Sequence, residues 1–165
     1  MSKHVISVLL ANESGVLSRV AGLFSARGYN IESLTVAATN NPLLSRITIV
    51  TKGEDKLAEQ VIKQLHKLID VLGAVDLGQD QHVEREVLLV KLVCEEAKVN
   101  DLKTFVSTYR AGIIECDASL CIVGMTALGS EIDKFILALE KVWDIKEIAR
   151  SGTISLGRGN LILSL

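Results

Sequence analysis

Val5-Ile6-Ser7-Val8-Leu9-Leu10-Ala11-Asn12-Glu13-Ser14-Gly15-Val16-Leu17-Ser18-Arg19-Val20 is the stretch that decides the fold. Val5 to Leu10 is a short apolar run and reads as a strand. Asn12 to Gly15 interrupts it: Asn12 and Ser14 are helix-capping types, and Gly15 is conformationally permissive. Val16, Leu17, Val20, Leu23 and Phe24 then recur at helical spacing, with Ser18, Arg19 and Arg27 between them. Gly28 follows Arg27, where a glycine suits the left-handed cap that closes a helix.

Outward from this unit, Asn30 to Thr39 reads as a second strand. Asn40-Asn41-Pro42, with the only proline of the chain, is turn chemistry. Leu44 to Thr51 alternates, with Ile47 and Ile49 on one face and Arg46 and Thr48 on the other. Glu54 to Leu68 reads as a helix with Leu57, Val61, Leu65 and Leu68 as its stripe, and Val71 to Leu77 as a fourth strand. The order is βαββαβ, and it repeats. Glu86 to Cys94 reads as a strand, and Asn100 to Arg110 as a helix with Leu102, Phe105, Val106 and Tyr109 on one side. Ile113 to Cys116 and Leu120 to Thr126 read as strands. Ser130 to Val142 reads as a helix with Ile132, Phe135, Ile136 and Leu139 inward, and Ile145 to Ala149 opens a last strand. The fold class expected is α+β: two ferredoxin-like βαββαβ domains, each a sheet with helices on one face. Gly78-Gln79-Asp80-Gln81 is the most polar gap, which places the boundary between a domain over 1–78 and a second over 79–165. The tail from Gly152 to Leu165 reads as a further strand or a loose arm.

Aromatic residues are 4% of the 165 and apolar residues 48%, so the cores must be aliphatic. The net charge of -2 supplies no bulk attraction for a polyanion. RNA-binding versions of this fold stack bases on sheet aromatics. The strands Val5–Leu9, Arg46–Val50 and Leu120–Val123 carry none, so no nucleic-acid partner is expected. Metal-carrying versions need soft ligands in the first strand–helix loop, and Asn12-Glu13-Ser14-Gly15 has neither Cys nor His. His4, His66 and His82 show no ligand spacing, and no metal site is expected. Cys116 and Cys121 flank a predicted turn and could approach each other, but without a second ligand pair they read as ordinary cysteines. Cys94 makes the count odd. Met1 to His4 runs directly into a strand-like stretch too short for a signal or a membrane span, which points to a reducing, cytoplasmic location with no membrane partner. No nucleophile elbow, dinucleotide-binding glycine motif or P-loop is present, and no catalytic residues are expected. Glu84-Arg85-Glu86 reads as a solvated strand edge with local salt bridges.

The first loop remains. A helix start presents unpaired N–H groups and a partial positive charge, and Gly15 lets a ligand approach the backbone, so a free carboxylate suits it. Asn30, just past Gly28-Tyr29, has donor and acceptor atoms for an ammonium or a carboxylate.

These residues also carry a resemblance. Val8 to Val20, Gly22-Leu23-Phe24, Arg27-Gly28-Tyr29-Asn30-Ile31-Glu32-Ser33-Leu34, Leu44-Ser45-Arg46-Ile47-Thr48 and Gln64-Leu65-His66-Lys67-Leu68 closely resemble the ACT domain of the acetolactate synthase (acetohydroxyacid synthase) small-subunit family. The likeness returns at Glu84-Arg85-Glu86, at Ala149-Arg150-Ser151-Gly152 and at Arg158-Gly159, and is weaker from Cys94 to Val142. The resemblance implies a non-catalytic regulatory subunit in branched-chain amino-acid biosynthesis. It implies a large catalytic subunit as partner, which carries thiamine diphosphate, FAD and magnesium, with no cofactor in this chain. It also implies a homodimer through the ACT sheets and feedback inhibition by valine, with leucine and isoleucine as alternatives. The effector would sit among Asn12, Gly15 and Leu17 of one chain and Asn30 and Ile31 of its partner. Two other function classes stay open on the residues: a stand-alone amino-acid sensor acting on another partner such as a transcription factor, and an enzyme in its own right.

Overall fold

The computed structural model describes residues 2–78 and 82–163, so Gln79, Asp80 and Gln81 of the expected boundary lie outside the described residues. By contacts the chain forms two units, Met1–Glu84 with Thr153–Leu165, and Arg85–Gly152. The tail, expected to follow the second half, thus belongs with the first, and the leading end of β5 goes with it.

The first unit runs β1 (Ser2–Ala11), α1 (Val16–Ala26), β2 (Ser33–Ala38), β3 (Leu44–Gly53), α2 (Asp55–Leu65) and β4 (Val71–Asp76), with sheet order β2-β3-β1-β4. The second runs β5 (His82–Val93), a 3-10 turn (Glu96–Lys98), α3 (Val99–Thr108), β6 (Gly112–Asp117), β7 (Leu120–Ala127), α4 (Gly129–Leu139) and β8 (Asp144–Arg150), with order β6-β7-β5-β8. The permutation of strands is the same in both, which makes each half a ferredoxin-like βαββαβ unit. A ninth strand, β9 (Ile154–Gly157), pairs with β5.

Val5 to Leu10 of β1 is apolar apart from Ser7, and all of it is buried, because both faces of the strand are covered. Ile6, Val8 and Leu10 pack with Val16, Val20 and Phe24 of α1 and Val61 and Leu65 of α2. Val5, on the other face, packs with Val50, Leu77 and Leu161, a residue of the tail. Leu163 reaches Gly73 of β4, where even a Cβ would lie 2.9 Å from its side chain. The tail is therefore a cover for the second face of this sheet, the face on which alternation places Thr48, and Thr48 is buried. β2 begins at Ser33 rather than Asn30, because Gly28 at φ +66 turns the chain after α1 and Tyr29 N–H bonds back to Phe24. Helix α2 stops at Leu65 instead of Leu68, as the chain tightens through Lys67 to Gln64 and Leu68 to Leu65 bonds.

In the second unit Leu88, Val90 and Leu92 face α3 and α4, and Phe135 is fully buried with its ring 5.3 Å from Tyr109. The opposite face of β5 stays open, with Val87 and Leu89 exposed. The expectation of a solvated edge with salt bridges at Glu84-Arg85-Glu86 holds for exposed Arg85 and for the ion pair of Glu84 but is corrected for Glu86, because β5 is a central strand. Glu86 is buried and bonds Arg150 Nε at 2.6 Å, and Arg150 also holds Asp133 at 2.7 Å. Glu84 is gripped by Lys3 of β1 through both carboxylate oxygens, at 2.8 and 2.9 Å.

Truncating the central ring of the second core, Phe135→Ala, is expected to lower stability by about 3–5 kcal/mol in denaturant titration. Burial raises the Glu84 carboxyl while the Lys3 hydrogen bond and charge lower it, with a net position below the ordinary 4.5. A depressed folded value gives stabilisation that is present above 4.5 and lost as pH falls through the folded value. The stability difference between wild type and Lys3→Met, no more than about 1 kcal/mol for so exposed a lysine, should be present at neutral pH and vanish in acid.

Candidate functional site: the start of the first helix

The end of β1 is fastened to the turn between β2 and β3 by one residue. Asn12 N–H donates to the Leu43 carbonyl at 2.8 Å, its Nδ2 donates to the Pro42 carbonyl at 2.8 Å, and its Oδ1 accepts from Ser45 Oγ at 2.9 Å. On the other side Ala11 N–H donates to the Asp70 carbonyl. The strand therefore ends at a fixed point, and the chain must turn from it into α1.

It does so through Gly15, the N-cap of α1, at φ +83 in the left-handed region that favours glycine. No side chain caps the helix. The expectation that Asn12 or Ser14 caps it is corrected: Asn12 is directed across the sheet end to the hairpin. Val16 N–H makes only a long contact to Glu13 at 3.4 Å, and Arg19 N–H bonds Gly15. Among the described residues no acceptor serves the N–H groups of Leu17 and Ser18. An uncapped helix start of this kind holds unmet donors and the positive end of the helix dipole. Arg19, which sequence reasoning passed over, adds to it. A Cβ on Gly15 would lie 3.2 Å from Arg19 Nη1, so the guanidinium stands beside the turn, held there by Asp70 Oδ2 at 2.7 Å on its Nε. The i, i+4 spacing of Gly15 and Arg19 was the available signal. Leu17 is 42% exposed and presents an apolar side chain next to these donors.

Asn30 and Ile31 lie elsewhere. Asn30 donates through Nδ2 to Glu32 at 2.9 Å, and its carbonyl accepts from Thr51 Oγ1 at 2.7 Å. Lys52 holds the other oxygen of Glu32 at 3.1 Å, and its hydrogen bond and charge keep that carboxyl below its ordinary value. Ile31 is half-buried against the first core. Asn30 is bonded to the Thr51 end of β3, whereas the first loop sits at the Leu44 end, opposite Ala11. At about 3.3 Å per strand residue, the two groups are on the order of 20 Å apart. A single chain thus brings Asn12, Gly15 and Leu17 together and leaves Asn30 and Ile31 at the far end of the sheet. β2, which starts beside Asn30, is an edge strand with Val36, Ala37 and Ala38 exposed.

The repeat does not duplicate the site. The loop of the second unit that corresponds to Asn12–Gly15 is Glu95-Glu96-Ala97-Lys98, without glycine and with two carboxylates at the turn. A carboxylate ligand would be repelled there. Among the described residues no group of three or more His, Cys, Asp and Glu side chains is placed to hold a metal ion. Cys116 and Cys121, expected to be ordinary cysteines, are joined by a disulfide across the β6–β7 hairpin, because the strand register sets them opposite each other. Cys94 is free and buried.

Known proteins fit the two halves separately and together. The family model of the AHAS small subunit-like ACT domain matches residues 6–73, and that of the small subunit of acetolactate synthase matches residues 85–159. The chain is 49% identical over 161 residues to the acetolactate synthase isozyme 3 small subunit of Escherichia coli, covering 98% of this chain and 99% of that one. It is 42% identical over 158 residues to the probable acetolactate synthase small subunit of Archaeoglobus fulgidus, covering 96% and 98%. The crystal structure of the acetolactate synthase small subunit from Thermotoga maritima matches with a TM-score of 0.88 at 36% identity, over 97% of this chain and 99% of that one. Two ferredoxin-like halves, an ACT domain first and a matching second half behind it, place this chain in the acetolactate synthase small-subunit family.

Proposed function

We propose that this chain is the non-catalytic regulatory subunit of an acetolactate synthase, and that it activates the catalytic subunit and confers feedback inhibition by valine. The observation that carries the valine site is the uncapped start of α1. Leu17 and Ser18 offer free N–H donors, Gly15 puts no side chain over the turn, and Arg19, beside it, adds a guanidinium only partly neutralised by Asp70. These groups receive the carboxylate of a free amino acid.

The other half of the site comes from a second copy. Two β2 edges pairing about a two-fold axis run antiparallel, so the start of one lies against the end of the other. That reversal carries Asn30 and Ile31 of the partner the length of the strand, to the first loop. Asn30 has its amide nitrogen committed to Glu32, which leaves Oδ1 to accept from the effector ammonium. Leu17 of one chain and Ile31 of the other then wall a branched aliphatic side chain. A single methylene is worth about 1–3 kcal/mol in such a pocket, so valine, leucine and isoleucine should be graded in affinity. Asn12 holds the loop through its bonds to Pro42 and Ser45 and lines the site beside Gly15 and Leu17.

In this reading thiamine diphosphate, FAD and magnesium belong to the catalytic subunit, and both subunits work in the cytoplasm. Inhibition requires valine to prefer one arrangement of the dimer by about 1–3 kcal/mol, and the catalytic subunit must in turn alter valine affinity by the same factor. The test is calorimetric titration of the purified chain with valine, alongside acetolactate synthesis by the catalytic subunit with and without it. Gly15→Asp, which sets a negative side chain at the carboxylate position, is expected to lose measurable binding and valine inhibition. Leu17→Ala, at an exposed position that leaves the fold intact, should weaken binding about tenfold. Unchanged valine affinity in both variants contradicts the site. Catalytic activity indifferent to the added chain contradicts the role.

A further inference from the structure

We infer that Cys116 and Cys121 form a reversible dithiol–disulfide pair, a redox-modifiable site on the β6–β7 hairpin of the second unit. The two residues are direct cross-strand partners with Cα atoms 4.1 Å apart, and their sulfurs are bonded. Between them the chain reverses through Ala118 and Ser119, with Ala118 in the left-handed region at φ +51, a conformation alanine adopts at a cost. The hairpin end is thus held in a form that its own turn residues do not favour, and the cross-link is what spans it.

The two sulfurs are unequal. Cys116 lies on β6, an exposed outer strand bonded on one side only, whereas Cys121 is 1% exposed within the second core. An incoming thiolate reaches Cys116. Its attack on Cys116 Sγ forms a mixed disulfide and breaks the Cys116–Cys121 bond, and Cys121 leaves as a thiolate that takes up a proton. The second thiol of the reductant then attacks the mixed disulfide at the reductant's own sulfur and releases Cys116 as a thiol. Two electrons and two protons pass to the protein, and a dithiol becomes a disulfide. A small disulfide oxidant runs the sequence backwards. Cys94 stands at the same corner, since its N–H donates to the Ser119 carbonyl at 2.8 Å. Its thiol is buried, and burial pushes it up from its ordinary range, so it stays protonated and takes no part in exchange. In a reducing compartment, the cytoplasm that the proposed function assumes, disulfides that form are transient and redox-sensing. Opening the bond releases the hairpin end of an edge strand, which frees β6 to fray or to pair elsewhere.

The test uses the full chain without any partner, so it stands apart from the valine reading. The protein is equilibrated in mixtures of reduced and oxidised dithiothreitol, quenched by alkylation in denaturant and weighed intact. The oxidised chain should carry one label, on Cys94, and the reduced chain three, in a single transition with no two-label species at equilibrium. Cys116→Ser should carry two labels throughout, and Cys94→Ser should pass from none to two. Amide exchange over residues 112–117 should rise about tenfold on reduction of the wild type. Three labels in every mixture, or one label in the folded chain under fully reducing conditions, overturns the reversible pair. Unchanged exchange on reduction overturns its effect on β6.

Discussion

The first loop can present bare helix donors because Asn12 does something else. Its side chain could have capped α1, as sequence statistics favour. Instead its Nδ2 donates to Pro42 and its Oδ1 accepts from Ser45, across the end of the sheet, beside the bond from the Asn12 backbone N–H to Leu43. That clamp fixes where β1 ends and how the β2–β3 turn sits. It also leaves the reversal into α1 to Gly15, and the Leu17 and Ser18 N–H groups without a side-chain partner. A capping Asn at this position would satisfy the donors and close the site to a carboxylate. The local stability given up at the helix start is offset by the bonds Asn12 makes to the hairpin.

The second constraint is distance. One chain holds only part of the proposed site, because Asn30 and Ile31 sit at the opposite end of β3 from the loop. The edge position of β2 turns this from an obstacle into a reason for a dimer, since antiparallel pairing of two such edges exchanges their ends. Valine would then bridge two chains and report on how they are arranged. The second unit, with the same strand order, carries Glu95 and Glu96 where the first has Asn12-Glu13-Ser14-Gly15, so the repeat divides into a unit fit for a carboxylate and one that is not.

Much of this was legible in the sequence. The 3.6-residue stripes Val16–Val20–Phe24 and Leu57–Val61–Leu65 and the alternation of Ile47 and Ile49 with Arg46 and Thr48 arise from single elements packing on one face, and such periods survive in a lone sequence. Gly28 was legible because few residues suit its backbone. What escaped depends on contacts between distant parts of the chain. The apolar stretch from Val5 to Leu10 signalled a strand without revealing that Leu161 packs on its far face and Leu163 on that of β4. Glu86 looked like a surface charge until Arg150, sixty-four positions on, came to its side. Asn12 had the composition of a cap and the role of a clamp, a choice set by where Pro42 and Ser45 arrive. Cys116 and Cys121 were recognised as neighbours of a turn, but only the register makes them partners.

The central claim is that the effector site is shared between two chains, and subunit mixing tests it most directly. Gly15→Asp and Asn30→Ala chains, each purified as a homodimer defective at both sites, are mixed and allowed to exchange, and valine binding is then measured. A shared site predicts recovery, because each mixed dimer combines one site with both defects and one with none, giving about one intact site in four at equal mixing. No recovery after verified exchange would show that all the binding groups lie within a single chain, and would contradict the account.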